Sequence, residues 1–243
     1  MADRPILLEV CVDNVEGLAT AIAGGADRIE LCAALDVGGL TPTTGLMRIA
    51  VASPVQVVAM IRPRAGHFCF DDQEIQLMLN DIDAAGEAGM NGVVLGASLA
   101  DGRLDHYTLE RLIRRAVSLD LSCTLHRAID LCPDLTQAVN TAVDLGFERI
   151  LTSGGEPSAL QGLYGLKECF DAAAGRITIM PGAGINADNV KLLRAKLPLT
   201  DVHASCSAPV AAGSAPMLAF GFESGTRRQT SREKVIALKA SIR

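Results

Sequence analysis

The sequence predicts an α/β protein, a single TIM-type (β/α)8 barrel, and three features carry that expectation. Strand-like and helix-like stretches alternate from Leu8 to the C-terminus, which implies parallel strands covered by helices. Counting a last helix, there are eight such units, and eight close naturally into a barrel of about 250 residues. The chain has 243 residues, 49% of them hydrophobic and only 3% aromatic, which suits one domain over 1–243 with an aliphatic core. A doubly wound open sheet is the alternative, but no glycine-rich dinucleotide fingerprint opens the chain.

The first strand is Leu8-Glu9-Val10-Cys11, and the second is its echo, Ile29-Glu30-Leu31-Cys32. Alternate side chains share a face of a strand, so Glu9 lies with Cys11 and Glu30 with Cys32. Between the copies an Asx start at Asp13-Asn14 and a stop at Gly24-Gly25 bound a helix. So short a crossover makes the strands parallel neighbours, about 4.8 Å apart. If their registers match, two carboxylates and two thiols converge on one small region.

A loop from Ala33 to Thr44 follows, and Thr43 or Thr44 caps a short helix to about Ser53. Val55 to Arg62 reads as the third strand. Asp71 or Asp72 caps a helix reaching Ala88, and Gly92 to Gly96 is the fourth strand. Asp105 starts a helix ending near Leu119, before a fifth strand from Leu121 to His126. Pro133 or Asp134 opens a helix to Leu145, and Arg149 to Thr152 is the sixth strand. A helix from about Ser158 to Ala173 precedes the seventh strand, Arg176 to Met180. Asn186 caps a helix to about Ala195, and Asp201 to Ala204 is the eighth strand. Ala208 to Thr230, rich in Ala, Gly, Ser and Pro, reads as a mobile loop over the barrel mouth. Ser231 to Ile242 is the last helix.

The net charge of −6 argues against general nucleic-acid or anionic-membrane binding. No apolar run reaches the roughly 18 residues of a membrane span, and the first residues lack secretory-signal features. The expectation is a cytoplasmic protein. Its seven cysteines are then free thiols, mostly small buried hydrophobes.

Active sites of such barrels sit at the C-terminal ends of the strands. There the chain places Glu9, Cys11 and Asp13, Glu30 and Cys32, Arg62 and Arg64, His126, Arg127 and Asp130, then Thr152 and Ser153, His203 and Ser205. Glu9, Glu30, Arg62 and His126 are catalytic candidates, because paired carboxylates beside a His and an Arg can supply acid, base and anchor. They equally suit a buried ion-pair lattice in which Glu9 and Glu30 hold Arg62 and Arg127. Paired thiolates at Cys11 and Cys32 favour a soft ion such as copper(I), against two small packed thiols. Ser153-Gly154-Gly155 and Gly182 to Gly184 are glycine loops that can bring N–H groups to an anion. Arg64, His203 and Ser205 would complete such a site. Tight turns needing positive φ would account for the same glycines.

Together these motifs resemble the CutC family, the copper homeostasis proteins. The matching stretches include Leu8 to Asp13, Gly24 to Cys32, Gly38 to Pro42, Met60 to Arg64, His126 to Asp130, Arg149 to Gly155 and His203 to Ser205. The resemblance implies a barrel fold, a cytoplasmic location, a homodimer or higher homo-oligomer, and copper(I) binding by Cys11 and Cys32. Two departures stand out. Cys206-Ser207 replaces the family's usual Ala-Arg, and Ala183 replaces a usual Gly. The rim carries more chemistry than copper needs. An enzyme acting on a small anionic, phosphorylated or sugar-like metabolite is therefore the alternative.

Overall fold

In the computed structural model, which describes residues 5–211, 213–222 and 227–243, eight parallel strands alternate with helices around a barrel. The strands are β1 (Leu7–Val12), β2 (Arg28–Leu31), β3 (Gln56–Met60), β4 (Gly92–Leu95), β5 (Ser122–Leu125), β6 (Arg149–Thr152), β7 (Thr178–Pro181) and β8 (Asp201–Ala204). Hydrogen bonding runs in the order β7-β6-β5-β4-β3-β2-β1-β8, and β7 lies against β8 to bring the ring to near closure.

The outer layer holds α1 (Val15–Gly24), α2 (Thr44–Ala50), α3 (Asp72–Ala88), α4 (His106–Val117), α5 (Leu135–Leu145), α6 (Leu163–Ala173) and α7 (Val190–Arg194). Their starts follow cap chemistry: Asn14, Thr43, Asp71, Asp105 and Asp134 each accept a first-turn N–H. At α3, Asp71 and Glu74 complete a reciprocal capping box.

α6 begins later than its sequence suggests. The backbone at Gly162 passes so close to Ser153 that a Cβ would lie 1.8 Å from the Ser153 carbonyl oxygen, so residues 156–162 pack as a turn. α7 is also shorter, and Asn186 caps a preceding turn through the N–H groups of Asp188 and Asn189.

The irregular stretch after β8 contains an antiparallel ribbon, β9 (Ser207–Pro209) with β10 (Arg228–Thr230), with α8 (Ala215–Ala219) between them. A last helix, α9 (Arg232–Ser241), packs on α1.

The period of two divides the core. Leu8, Val10, Val12, Ile29 and Leu31 face the helices and join the large aliphatic cluster. Inside the barrel, Cys32, Val58, Met60 and Val94 form a small apolar cluster, with Leu151 at the cavity and Met180 against Arg28. The rest of the interior is charged and hydrogen-bonded, as where Arg149 donates to Ser122 and Thr124. A barrel interior is ordinarily filled by branched aliphatics, whereas here Arg28, Ser122, Arg149 and Asp201 stand at strand starts and Glu9, Glu30 and His203 further along their strands. Among the described residues, no helix is long and apolar enough to cross a membrane.

Candidate functional site

The floor of the site is an ion network built by register. Glu9 on β1 stands between Arg28 on β2 and His203 on β8 in the two ladders. Arg28 Nε donates to Glu9 Oε2, and Arg28 Nη2 donates to Asp201 Oδ2 at 2.9 Å. His203 Nδ1 lies 2.8 Å from Glu9 Oε1. All of Glu9 is buried. Burial alone would raise its pKa, but the His203 hydrogen bond and the Arg28 charge outweigh that and hold it well below the usual range. So Glu9 is an ionised anchor that orients the His203 ring.

Above this floor the two strands are out of step. Cys11 pairs with Glu30, and Glu9 pairs with Arg28, so Glu30 stands one level above Glu9 and Cys32 stands higher still. Glu30 Oε2 accepts the Cys32 thiol at 3.5 Å and faces His203 Nε2 at 3.9 Å. Burial, with the Glu9 charge adding to it, raises the Glu30 pKa. For His203 burial acts downward, but the Glu30 charge and Cys11 carry its pKa well above the usual value. The Cys32 thiol is pushed up by burial and by Glu30, which makes it a poor thiolate. The Cys11 Sγ, a Glu30 oxygen and a His203 nitrogen lie within 4.8 Å of one another. Cys32 is outside that group. With His203 held through Nδ1 by a carboxylate, this is the usual arrangement of a metal-binding imidazole.

One wall is made by Arg62, His126 and Phe68. Arg62 Nη1 donates to the carbonyls of Val37 and Gly39, and Nη2 donates to Gly66. Its fork is thus spent on loops, leaving Nε–H. His126 caps a 3-10 turn over Arg127–Leu131, its Nδ1 accepting the Ala128 N–H at 3.1 Å. Burial pulls its pKa down to about 4, the Arg62 charge assisting, so the ring is neutral with its proton on Nε2. Phe68 lies against both, 4.8 Å from the His126 ring and 5.0 Å from the Arg62 guanidinium.

The glycine loop after β6 is already filled. The Asp130 carboxylate accepts the N–H groups of Ser153 and Gly155 at 2.9 and 3.2 Å, and the hydroxyls of Thr152 and Ser153 at 2.6 and 2.9 Å. Arg127 binds the same carboxylate, and Gly154 N–H goes to Thr152. Arg64 leaves the rim altogether, pairing with Glu74 on α3. Gly182 donates to the Thr152 carbonyl, and its missing side chain makes room for Leu151 and His203. Gly184 adopts φ of 78° in the turn before α7. Ser205 faces the cavity and shares a hydrogen bond with Ser207.

These parts enclose a cavity of about 760 Å³ at the C-terminal mouth, lined by Cys11, Glu30, Arg62, His126 and His203 below and by Met217, Phe222 and Arg228 from the ribbon segment above. Among the described residues, four buried side-chain polar atoms have no partner: Glu30 Oε1, Arg62 Nε, His126 Nε2 and Ser98 Oγ. The first three belong to residues lining this cavity.

A family model described as the CutC family matches residues 6–208. The chain belongs to the CutC family. A CutC-family protein of Rhizobium meliloti is 52% identical over 237 residues, covering 98% of this chain and 96% of its own. That of Caulobacter vibrioides is 45% identical over 246 residues, covering 100% and 99%. A crystal structure of CutC from Streptococcus agalactiae, a protein named for copper homeostasis, superposes with a TM-score of 0.77 at 31% identity, over 82% of this chain and 98% of that one. Thiamine phosphate pyrophosphorylase from Pyrococcus furiosus, at TM-score 0.59 and 14% identity over 99% and 96% of the two chains, shares the fold alone.

For this CutC-family protein, sequence reasoning located the Glu, His and Cys residues but missed Arg28, Asp201, Phe68 and the part played by Asp130. Arg28 carried a readable signal: it shares its strand face with Glu30 and Cys32. The expected lattice of Glu9 and Glu30 with Arg62 and Arg127 is replaced by Glu9 with Arg28, and Asp130 with Arg127.

Proposed function

We propose that the barrel mouth binds and transforms a small, oxygen-rich polar metabolite, with Glu30 and His203 as the acid–base pair and Glu9 as the residue that positions His203. The observation that carries this is the trio of unpartnered buried atoms, Glu30 Oε1, Arg62 Nε and His126 Nε2, at one cavity. A buried polar group left unpaired costs about 1–3 kcal/mol, so three of them around one space suit a ligand that satisfies them. The test is a thermal-shift panel of sugar phosphates, hydroxy acids and hydroxy ketones. Stabilisation lost in Glu30→Gln supports the site. A panel that stabilises neither protein, or stabilises both equally, overturns it.

Copper(I) binding is the second reading, and the convergence of Cys11, Glu30 and His203 donors favours it. One thiolate and one imidazole suit copper(I). The Cys11–Cys32 pair suits it less, because the Cys32 thiol is tied to Glu30. Copper(I) would enter through Cys11 and His203. Self-association into a homodimer or larger assembly, tested by light scattering on a sizing column, belongs to the same proposal.

A further inference from the structure

Two buried donors on residues that line the cavity narrow the chemistry of that metabolite. His126 Nε2–H and Arg62 Nε–H are buried and unpartnered, and Phe68 packs against both groups. Each is fixed from behind, His126 by the Ala128 N–H and Arg62 by three loop carbonyls. Donors held in place before any ligand arrives need no reorganisation when charge develops on an oxygen. Glu30 stands on β2, one strand from Arg62 and three from His126, and offers the complementary group. Its Oε2 is held by Cys32 and faces His203, while Oε1 is buried and free.

Resting on the metabolite reading, we infer that Arg62 and His126 form an oxyanion hole for a carbonyl oxygen, and that Glu30 moves a proton on the neighbouring carbon. The substrate class is a small hydroxy ketone or hydroxy aldehyde. Glu30 Oε1 takes the proton, and the C–H electron pair becomes a C=C bond. The carbonyl π pair moves onto oxygen, which rests between the two N–H donors. The proton then returns to the adjacent carbon, while the hydroxyl proton passes to the former carbonyl oxygen and leaves the new carbonyl in its place. No oxidant, reductant or leaving group enters, so the reaction is an isomerisation. A neutral imidazole suits the donor role, since it polarises a carbonyl without giving up its proton outright, and His126 is kept neutral by burial.

The test titrates two probes that differ by one oxygen atom into the full chain with EDTA present. Glycolohydroxamate mimics the planar enediolate, and glycolamide mimics the resting carbonyl. The hydroxamate is expected to bind about tenfold tighter or more, as transition-state mimics do. His126→Gln should shrink that preference to about twofold while amide binding changes little. Imidazole ¹⁵N spectra of the wild type should show His126 as the Nε2–H tautomer, its proton moving downfield when hydroxamate is added. This readout stands even if the variant folds poorly. Equal affinity for the two probes, or an unmoved Nε2–H signal on binding, overturns the oxyanion hole and leaves the metabolite site standing. Failure of both probes while the wider panel still stabilises does the same. Failure of panel and probes together removes both.

Discussion

Glu30, not Cys32, is the residue beside Cys11 in the β1–β2 ladder. This two-residue offset puts a carboxylate and an imidazole next to the Cys11 thiol and leaves the second thiol tied to Glu30 Oε2. Copper(I) affinity, measured against a chelating competitor, should therefore fall about tenfold or more in Cys11→Ser and change by less than about threefold in Cys32→Ser. Equal losses in the two variants would restore the paired-thiol arrangement.

Arg28 is the counter-charge for two carboxylates, Glu9 and Asp201. Its removal leaves buried Glu9 with His203 alone as its partner. Arg28→Met should destabilise by about 3–5 kcal/mol in urea unfolding, as breaking a buried pair does. Arg103→Met, at an exposed pair with Asp101, should cost under about 1 kcal/mol.

Acid should act on two buried groups in distinguishable ways. The Glu9 pKa is lowered from 4.5 to about 2. Its contribution is therefore full above the unfolded value and is lost as pH falls through that window. The stability gap between wild type and Glu9→Gln should shrink across it, by on the order of 3 kcal/mol. His126 has its pKa lowered from 6.5 to about 4, so the unfolded chain binds the extra proton there. Wild type should lose stability relative to His126→Gln as pH falls from 6.5 towards 4. Parallel pH curves for the wild type and either variant would contradict the assignment for that residue.

Asp130 occupies the nest that the Ser153-Gly154-Gly155 loop would otherwise offer to an external anion. Asp130→Gly should cost about 2–4 kcal/mol through lost charge-assisted hydrogen bonds. Phosphate should recover part of the lost melting temperature in the variant and add little to the wild type. A variant indifferent to phosphate would show that the loop collapses without its carboxylate.

Ala183 sits at φ of 69°, a region that costs a residue with a side chain about 1–2 kcal/mol. Ala183→Gly should be neutral or stabilise by about 1 kcal/mol, read as a higher melting temperature. Destabilisation would mean that the Ala183 methyl makes compensating contacts.

The alternation of strands with caps and stops was legible because each element is written locally. Asp71 with Glu74 encodes the start of α3, and Gly89, at φ of 86°, its end. The rim was legible because the period of two put Glu9, Glu30, His126 and His203 inside the barrel. The offset between β1 and β2 was not legible, because the stagger of a barrel is a property of the closed ring. Nor was the match of Asp130 to the loop at Ser153, a contact between separate strand ends. The start of α6 escaped notice because the close passage of Gly162 and Ser153 is tertiary.

The ribbon above the cavity is fastened at its root, where Arg228 and Lys234 both hold the Ser207 carbonyl. The described residues between its two strands supply Met217, Phe222 and Arg227 to the cavity's upper wall. A descendant could exchange Met217 and Phe222 and reshape the mouth while inheriting the network of Glu9, Arg28 and His203 underneath unaltered.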